Sequence, residues 1–247
     1  MRLDGLIRVK FVERPNRFTV KFHYQNKDDL GHLKDPGRLK ELLIPGIDLL
    51  VKKAPPNLNR KTKYDVVAVF KDQQWVLINS GFHSDLAEEA INSGIIGDLK
   101  YYGVEKREYI FGKSRLDFLL SLKEDKDIPE DMPPKMLLEV KGCTLVENNT
   151  ALFPDAPTIR GKKHLEELIE GIEQGFASGV IFLIMKEDAR VFSPNFKTDP
   201  DFSCTLEDAA QEKVSIFPLV FETHLKDNSL EIKPWKLVKL IFKNQCI

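Results

Sequence analysis

Met136-Leu137-Leu138-Glu139-Val140-Lys141 is the stretch on which the reading of this chain turns. It has the apolar content and the length of a strand, and side chains along a strand alternate between two faces. Glu139 and Lys141 therefore project from one side, about 6–7 Å apart, while Val140 between them turns into packing. The preceding strand-like run, Arg115 to Leu120, alternates through Arg115, Asp117 and Leu119, which fixes a face for Asp117 too. Between the two runs lies Lys123 to Lys135, a charged segment with three prolines that reads as a long exposed loop. If the strands form a hairpin over it, Asp117 stands beside Glu139. Two carboxylates in one small volume repel each other unless a cation neutralises them. Oxygen ligands of this kind favour Mg²⁺ or Mn²⁺. A lysine one pleat away is placed to orient a metal-activated water or to stabilise charge developing on a phosphate. The alternative is a cross-strand ion pair on an exposed sheet face, worth little in stability.

Outward from this centre, the elements fall into a definite order. Upstream, Asp85-Leu86-Ala87-Glu88 has capping-box spacing, and Leu86, Ala90 and Ile91 form a helical face that ends near Gly94. Strands follow at Val104–Phe111, Arg115–Leu120 and Met136–Lys141. Downstream, Leu165, Leu168, Ile169 and Ile172 recur at helical spacing, closed by Gly175. Val180–Ile184 then reads as a buried strand. The order is helix, three strands, helix, strand. From about residue 199 the pattern predicts a helix at Leu206–Lys213, a strand at Val214–Phe221 and closing strand-like segments.

The first eighty residues are different in kind. Leu6–Val12 and Phe18–Tyr24 alternate apolar with polar residues, separated by turn chemistry at Glu13-Arg14-Pro15-Asn16-Arg17. Asp35-Pro36-Gly37-Arg38-Leu39-Lys40-Glu41-Leu42-Leu43 reads as a short helix, with Asp35 as N-cap and Pro36 at the first helical position. Further strands are expected at Ile47–Lys53, Tyr64–Phe70 and Trp75–Asn79. About five short strands with one helix between them fit a small barrel of the OB type; another small sheet fits the same pattern, which does not show closure. The chain thus divides into a small β unit, residues 1–80, and a larger α/β unit, residues 81–247, an α+β protein overall.

Composition narrows the function. The 247 residues carry a net charge of −1, but residues 1–63 hold 15 Lys and Arg against 7 Asp and Glu, a net of +8. A basic first quarter suggests a footprint for a polyanion, with a merely solvated lysine-rich surface as the alternative. Arg14, Arg17 and Arg38 flank turns there, among Phe11, Phe18, Phe22 and Tyr24. Basic and aromatic residues together on one face would suit single-strand binding by stacking and phosphate pairing, although aromatics also serve simply as barrel core. In the larger unit, Arg160, Lys162, Lys163 and His164 sit at or just inside the start of a helix. Cations there oppose the helix dipole. They are expected either to meet a phosphate with the free backbone N–H groups, or to pair with Asp155, Glu166 or Glu167. His32 reads as structural or a loop contact, and His23 and His83 as packing or capping groups. No apolar run approaches the roughly 18–20 residues of a membrane span. The N-terminus lacks the apolar stretch of a signal peptide. Cys143, Cys204 and Cys246 are too few and scattered for a disulfide framework or a zinc cluster. A cytoplasmic protein with no membrane partner is expected.

Asp, a spacer, then Glu-X-Lys within helix–β–β–β–helix–β resembles the core of the PD-(D/E)XK nuclease superfamily. In that family an acid on the first helix often completes the metal site, which implies Glu89 as a third ligand beside Asp117 and Glu139, with Glu88 as the fallback. Asp117, Glu139 and Lys141 would be the catalytic set. A closer resemblance covers most of the chain. Ser114-Arg115-Leu116-Asp117-Phe118, Glu139-Val140-Lys141 and the block Ala151-Leu152-Phe153-Pro154-Asp155-Ala156-Pro157-Thr158-Ile159-Arg160-Gly161-Lys162-Lys163-His164-Leu165 are similar to the sugar fermentation stimulation protein family, as are His32, Pro36-Gly37 and Asn79-Ser80. Many members read Asn-Thr-Gly where this chain has Asp35-Pro36-Gly37, and Ser where it has Gly142. The resemblance implies an OB-like domain before a nuclease-like domain, DNA as partner, and a link to the regulation of sugar metabolism. Arg14, Arg17, Arg38, Arg115, Arg160, Lys163 and His164 are the candidate nucleic-acid contacts. Three functions stay open: a DNA-binding regulator that keeps a metal site, an active metal-dependent nuclease, or a binder of a small phosphorylated ligand.

Overall fold

The run containing Glu139 is an interior strand of a seven-stranded sheet in the computed structural model, which describes residues 1–56, 60–124 and 128–242. Cys246, the last residues of the tail and positions 125–127 of the proline-rich loop lie outside the described residues. Strand β1 (Arg2–Leu3) sits at one edge of this large sheet, antiparallel to a C-terminal strand. The chain then builds a barrel from β2 (Leu6–Asn16), β3 (Thr19–Tyr24), β4 (Lys27–His32), β5 (Asp48–Lys53) and β6 (Tyr64–Lys71). Hydrogen bonding runs β4-β3-β2-β5-β6 and closes through β4 against β6, with Gly31 opposite Tyr64 and His32 opposite Asp65. A further strand, β7 (Gln74–Leu77), extends β6. The small β unit is a closed five-stranded OB barrel. Phe11 and Phe22 are part of its core, whereas Phe18 is exposed.

Two details of the barrel escaped the sequence pattern. The first is β4, whose Lys-Asp-Asp-Leu-Gly-His sequence has almost no apolar alternation. It forms because Gln25 and Asn26, both at positive φ, make the tight turn that folds it back on β3. The second is the helix expected at Asp35–Leu43, which is not there. Residues 33–39 form an irregular loop and only one turn follows. Asp35 Oδ1 accepts from the Gly37 N–H at 2.7 Å, a local turn that competes with a helix start. Leu39 then adopts φ +50°, which no helix continues through.

After the barrel come α1 (His83–Ser93), β8 (Tyr102–Phe111), β9 (Ser114–Leu122) and β10 (Lys135–Cys143). Helix α1 starts two residues before Asp85, so Asp85 lies in the first turn instead of capping it. The short β11 (Val146–Glu147) and β12 (Thr150–Phe153) lead to α2 (Ile159–Glu173) and β13 (Ala177–Ile184). Then follow β14 (Val191–Pro194), α3 (Pro200–Gln211), β15 (Ser215–Lys226), β16 (Ser229–Leu237) and β17 (Lys239–Leu240). The expected helix at 206–213 begins earlier because Asp199 caps Phe202 N–H and Pro200 fills the first turn. Strands β11, β12, β14 and β17 form a small second sheet, each too short to show a period in the sequence.

The large sheet runs β1-β16-β15-β13-β10-β9-β8, with β10, β13 and β15 parallel at its centre. The helix, three strands, helix, strand order is present, with β11 and β12 inserted before α2. Its two faces differ in what covers them. Leu138 and Val140 pack with α1 residues Leu86, Ala87, Ala90 and Ile91 in one core that continues into the barrel. Leu137 and Cys143 pack on the other face with Leu165 and Leu168 of α2 and Leu206 of α3. Polar contacts stitch barrel to sheet: Lys186 Nζ to Asp72 at 2.8 Å, and Thr223 Oγ1 to the Trp75 carbonyl at 2.7 Å. Among the described residues no helix is long and apolar enough to cross a membrane. Cys143 is a buried free thiol, and Cys204 is disulfide-bonded, a bond the scattered spacing of the cysteines did not announce.

Candidate metal centre

Strands β9 and β10 are antiparallel neighbours from Lys135 opposite Ser121 to Leu138 opposite Phe118. One step further the ladder gives way. Asp117 Oδ2 accepts from the Val140 backbone N–H at 2.7 Å, so a side chain takes the bond a strand would have made. That opening brings Asp117 to Glu139. On the same face Lys141 Nζ donates to Glu139 Oε1 at 2.5 Å. Glu139 is only 3 % exposed, and its Oε2 is buried with no hydrogen-bond partner. A buried orphan carboxylate oxygen is costly, and a cation is one way to satisfy it.

His164, from the inner stripe of α2, completes the cluster. Its Nδ1 lies 2.5 Å from Glu139 Oε1, and Arg160 Nε is 3.3 Å from its Nε2. The ring thus bridges the Glu139 carboxylate and the Arg160 guanidinium. His164 is 3 % exposed and is thus a support for Glu139, not the nucleic-acid contact expected of it. The signal for this was in the sequence: His164 precedes Leu168 by four residues and so shares the buried stripe of the helix.

The two carboxyls respond oppositely. Burial pushes Asp117 up and the nearby Glu139 charge adds to it, to about 6, against the pull of the Val140 N–H, Lys141 and His164. Burial pushes Glu139 up as well, but Lys141 and His164 more than offset it and hold it below the usual carboxylate range. Glu139 is the resident charge, and Asp117 is the acid that takes a proton first.

The other expected residues are scattered. Glu89 does not reach this cluster: both its carboxylate oxygens hold the Met1 amino group, at 2.7 and 2.6 Å. Glu88 pairs with Arg107. The reason is geometric, since α1 packs on the Leu138–Val140 face of β10 while Glu139 and Lys141 point to α2. Among the described residues no three His, Cys, Asp or Glu side chains converge as a metal cage. What the chain brings together is Asp117, Glu139, Lys141 and His164. Arg14 is turned inward and donates to the carbonyls of Gly37, Arg38, Arg17 and Asp35. Arg17 donates to the Pro36 carbonyl and lies over the Phe18 ring. Arg38 is exposed, and Arg115 pairs with Glu108 at 3.0 Å. Lys163, 43 % exposed, touches the Lys113 carbonyl and stands 3.8 Å from Glu167.

A closed OB barrel welded to an α/β sheet with Asp and Glu-X-Lys on neighbouring central strands defines a barrel-plus-nuclease-like-domain protein. Residues 12–78 match the family model described as the SfsA N-terminal OB domain, and residues 81–227 the one described as the sugar fermentation stimulation protein RE domain. The chain belongs to the sugar fermentation stimulation protein family. It is 47 % identical over 248 residues to the homologue from Methanosphaera stadtmanae, covering 99 % of each chain. It is 46 % identical over 230 residues to that from Methanothermobacter thermautotrophicus, covering 93 % of this chain and 92 % of the other. A solved structure of Pyrococcus furiosus SfsA in complex with Ca²⁺ has the same fold, with a TM-score of 0.85, 24 % identity and 98 % of each chain covered.

Proposed function

We propose that this is a cytoplasmic DNA-binding protein whose Asp117–Glu139 pair holds a divalent cation, and that the site is competent for phosphodiester hydrolysis. The observation that carries this is the convergence of Asp117, Glu139 and Lys141, with Glu139 Oε2 buried and unpartnered. Two oxygen donors with no soft ligand suit Mg²⁺ or Mn²⁺. The P. furiosus relative was solved with Ca²⁺, a cation of the same hard, oxygen-seeking class. Such an ion would supply Lewis-acid polarisation of a phosphate oxygen and a water of lowered pKa. The chain's own groups do the rest. His164 holds Glu139 in its rotamer, Lys141 presents an ammonium to the phosphate, and Arg160 and Lys163 at the start of α2 meet the flanking backbone. The α2 N-terminus adds backbone N–H groups of favourable sign. The link to sugar metabolism rests on the family's name, and the chemistry of the site addresses nucleic acid.

The test is incubation with single- and double-stranded DNA in Mg²⁺ or Mn²⁺, beside Asp117→Ala and Lys141→Ala. Cleavage should fall by about 10²-fold or more in each variant. Intact DNA in every lane with binding retained would leave a DNA-binding protein on a nuclease-like scaffold. Binding that is undetectable, or insensitive to salt, would remove the nucleic-acid reading and favour a small phosphorylated ligand.

A further inference from the structure

A cavity of about 310 Å³ opens between the barrel and the large sheet, at the C-terminal ends of β10 and β12. Lys141, Thr144 and Asp155 line it from the sheet side, and Arg17, Asp35 and His83 from the barrel side and α1. Open sheets with parallel strands bind ligands beyond those strand ends. The volume is at the lower end for a small organic ligand. It shares Lys141 with the metal centre, so an occupant lies one residue from the reacting phosphate.

The chemistry of the wall is specific. Asp35 and Asp155 flank Gly37 so closely that a Cβ there would meet Asp155 Oδ2 at 2.8 Å and Asp35 Oδ1 at 2.9 Å. Those two oxygens already accept backbone N–H groups, Asp35 Oδ1 from Gly37 and Asp155 Oδ2 from Arg38, each at 2.7 Å. The second oxygen of each carboxylate has no hydrogen-bond partner among the described residues. Two fixed acceptors beside apolar Leu39, Leu145 and Leu152 suit a flat group bearing N–H donors. The amino edge of a nucleobase is such a group. A second observation lies at the rim. Ile159, directly after the pocket-lining Thr158, is 90 % exposed and is followed by Arg160, Lys162 and Lys163. An apolar side chain standing out of a basic surface is the form of a wedge that parts stacked bases.

We infer that the cavity receives one base, everted from the strand next to the reacting phosphate, with Ile159 filling the gap in the stack. Asp35 and Asp155 accept from its exocyclic amino group, which disfavours thymine. This deepens the proposed function and rests on it. Eversion costs unstacking energy, least at a mismatch or in a single strand, so such DNA should bind best.

The experiment uses a duplex with 2-aminopurine at every second position of one strand and a fluorescein at its end, in Ca²⁺. Anisotropy reads binding, and 2-aminopurine emission, which rises when the base leaves the stack, reads eversion. Saturating wild-type protein should raise the emission several-fold. Ile159→Ser, a surface change that leaves the fold intact, should remove most of the rise at concentrations where anisotropy shows saturation. Thr144→Phe, which fills the cavity, should do the same. Saturated binding with no rise in emission, or a full rise in Ile159→Ser, would overturn the inference and leave the DNA reading standing. No binding at all would overturn both.

Discussion

The barrel and the start of α2 are both rich in cations, and they spend them differently. In the barrel several of the charges are turned inward or paired with acids. Arg14 holds four carbonyls of the 17–38 region, Arg8 and Lys10 share Asp48, Lys21 pairs with Asp28, and Arg60 with Asp65. At the start of α2, Arg160 is exposed, and Lys163 makes only long contacts. The net charge of +8 over the first 63 residues therefore overstates the cations the barrel leaves free, whereas Arg160 and Lys163 stand on the helix whose His164 touches Glu139. In the proposed function the footprint on a polyanion centres on α2.

That contrast can be broken by mutation. Arg14→Ala should cost about 2–4 kcal/mol of stability, because it strands several partly buried carbonyls at once. The urea midpoint reads this, and an unchanged midpoint with weakened DNA binding would mean Arg14 serves the ligand instead. Lys163→Ala should leave the midpoint in place and lower the slope of log affinity against log salt by about 1. An unchanged slope would move the footprint back to the barrel. Arg115→Ala should change neither quantity measurably, since its exposed pair with Glu108 contributes at most about 1 kcal/mol. A clear loss of DNA binding there would extend the footprint along β9.

Much of this was readable from the sequence. Helical and strand periods placed α1, α2, β8, β9, β10 and β13, and the alternation of β10 put Glu139 and Lys141 on one face. What the pattern missed were elements whose formation depends on partners. Strand β4 exists through its turn, and β11, β12, β14 and β17 through each other. The helix expected at Asp35 lost to a local side-chain turn. The third metal ligand expected at Glu89 failed because periodicity tells which face of α1 is buried, not which face of β10 it covers. Gly142 shows the same limit. The His83 ring lies so close there that a Cβ at 142 would come within 2.2 Å of its Cε1. Burial holds that ring neutral, its pKa down to about 4, so it packs, as its isolation from other ligands suggested.

Ion binding by the Asp117–Glu139 pair is the centre of the account, and its pH dependence tests it most directly. With a folded pKa of about 6 against an ordinary value of 3.8, Asp117 holds its proton more tightly in the fold than in the unfolded chain. In the metal-free protein it therefore favours folding below pH 3.8, and that contribution is lost as pH rises through 6. A divalent ion must displace the same proton, so affinity should be full above pH 7 and fall about tenfold per unit below 6. Calorimetric titration of the wild type with Ca²⁺ at pH 7.5 and 5.0, beside Asp117→Asn, measures it. Binding is expected at pH 7.5, weakened at least tenfold at pH 5.0 and lost in the variant. Equal affinity in wild type and Asp117→Asn would contradict it.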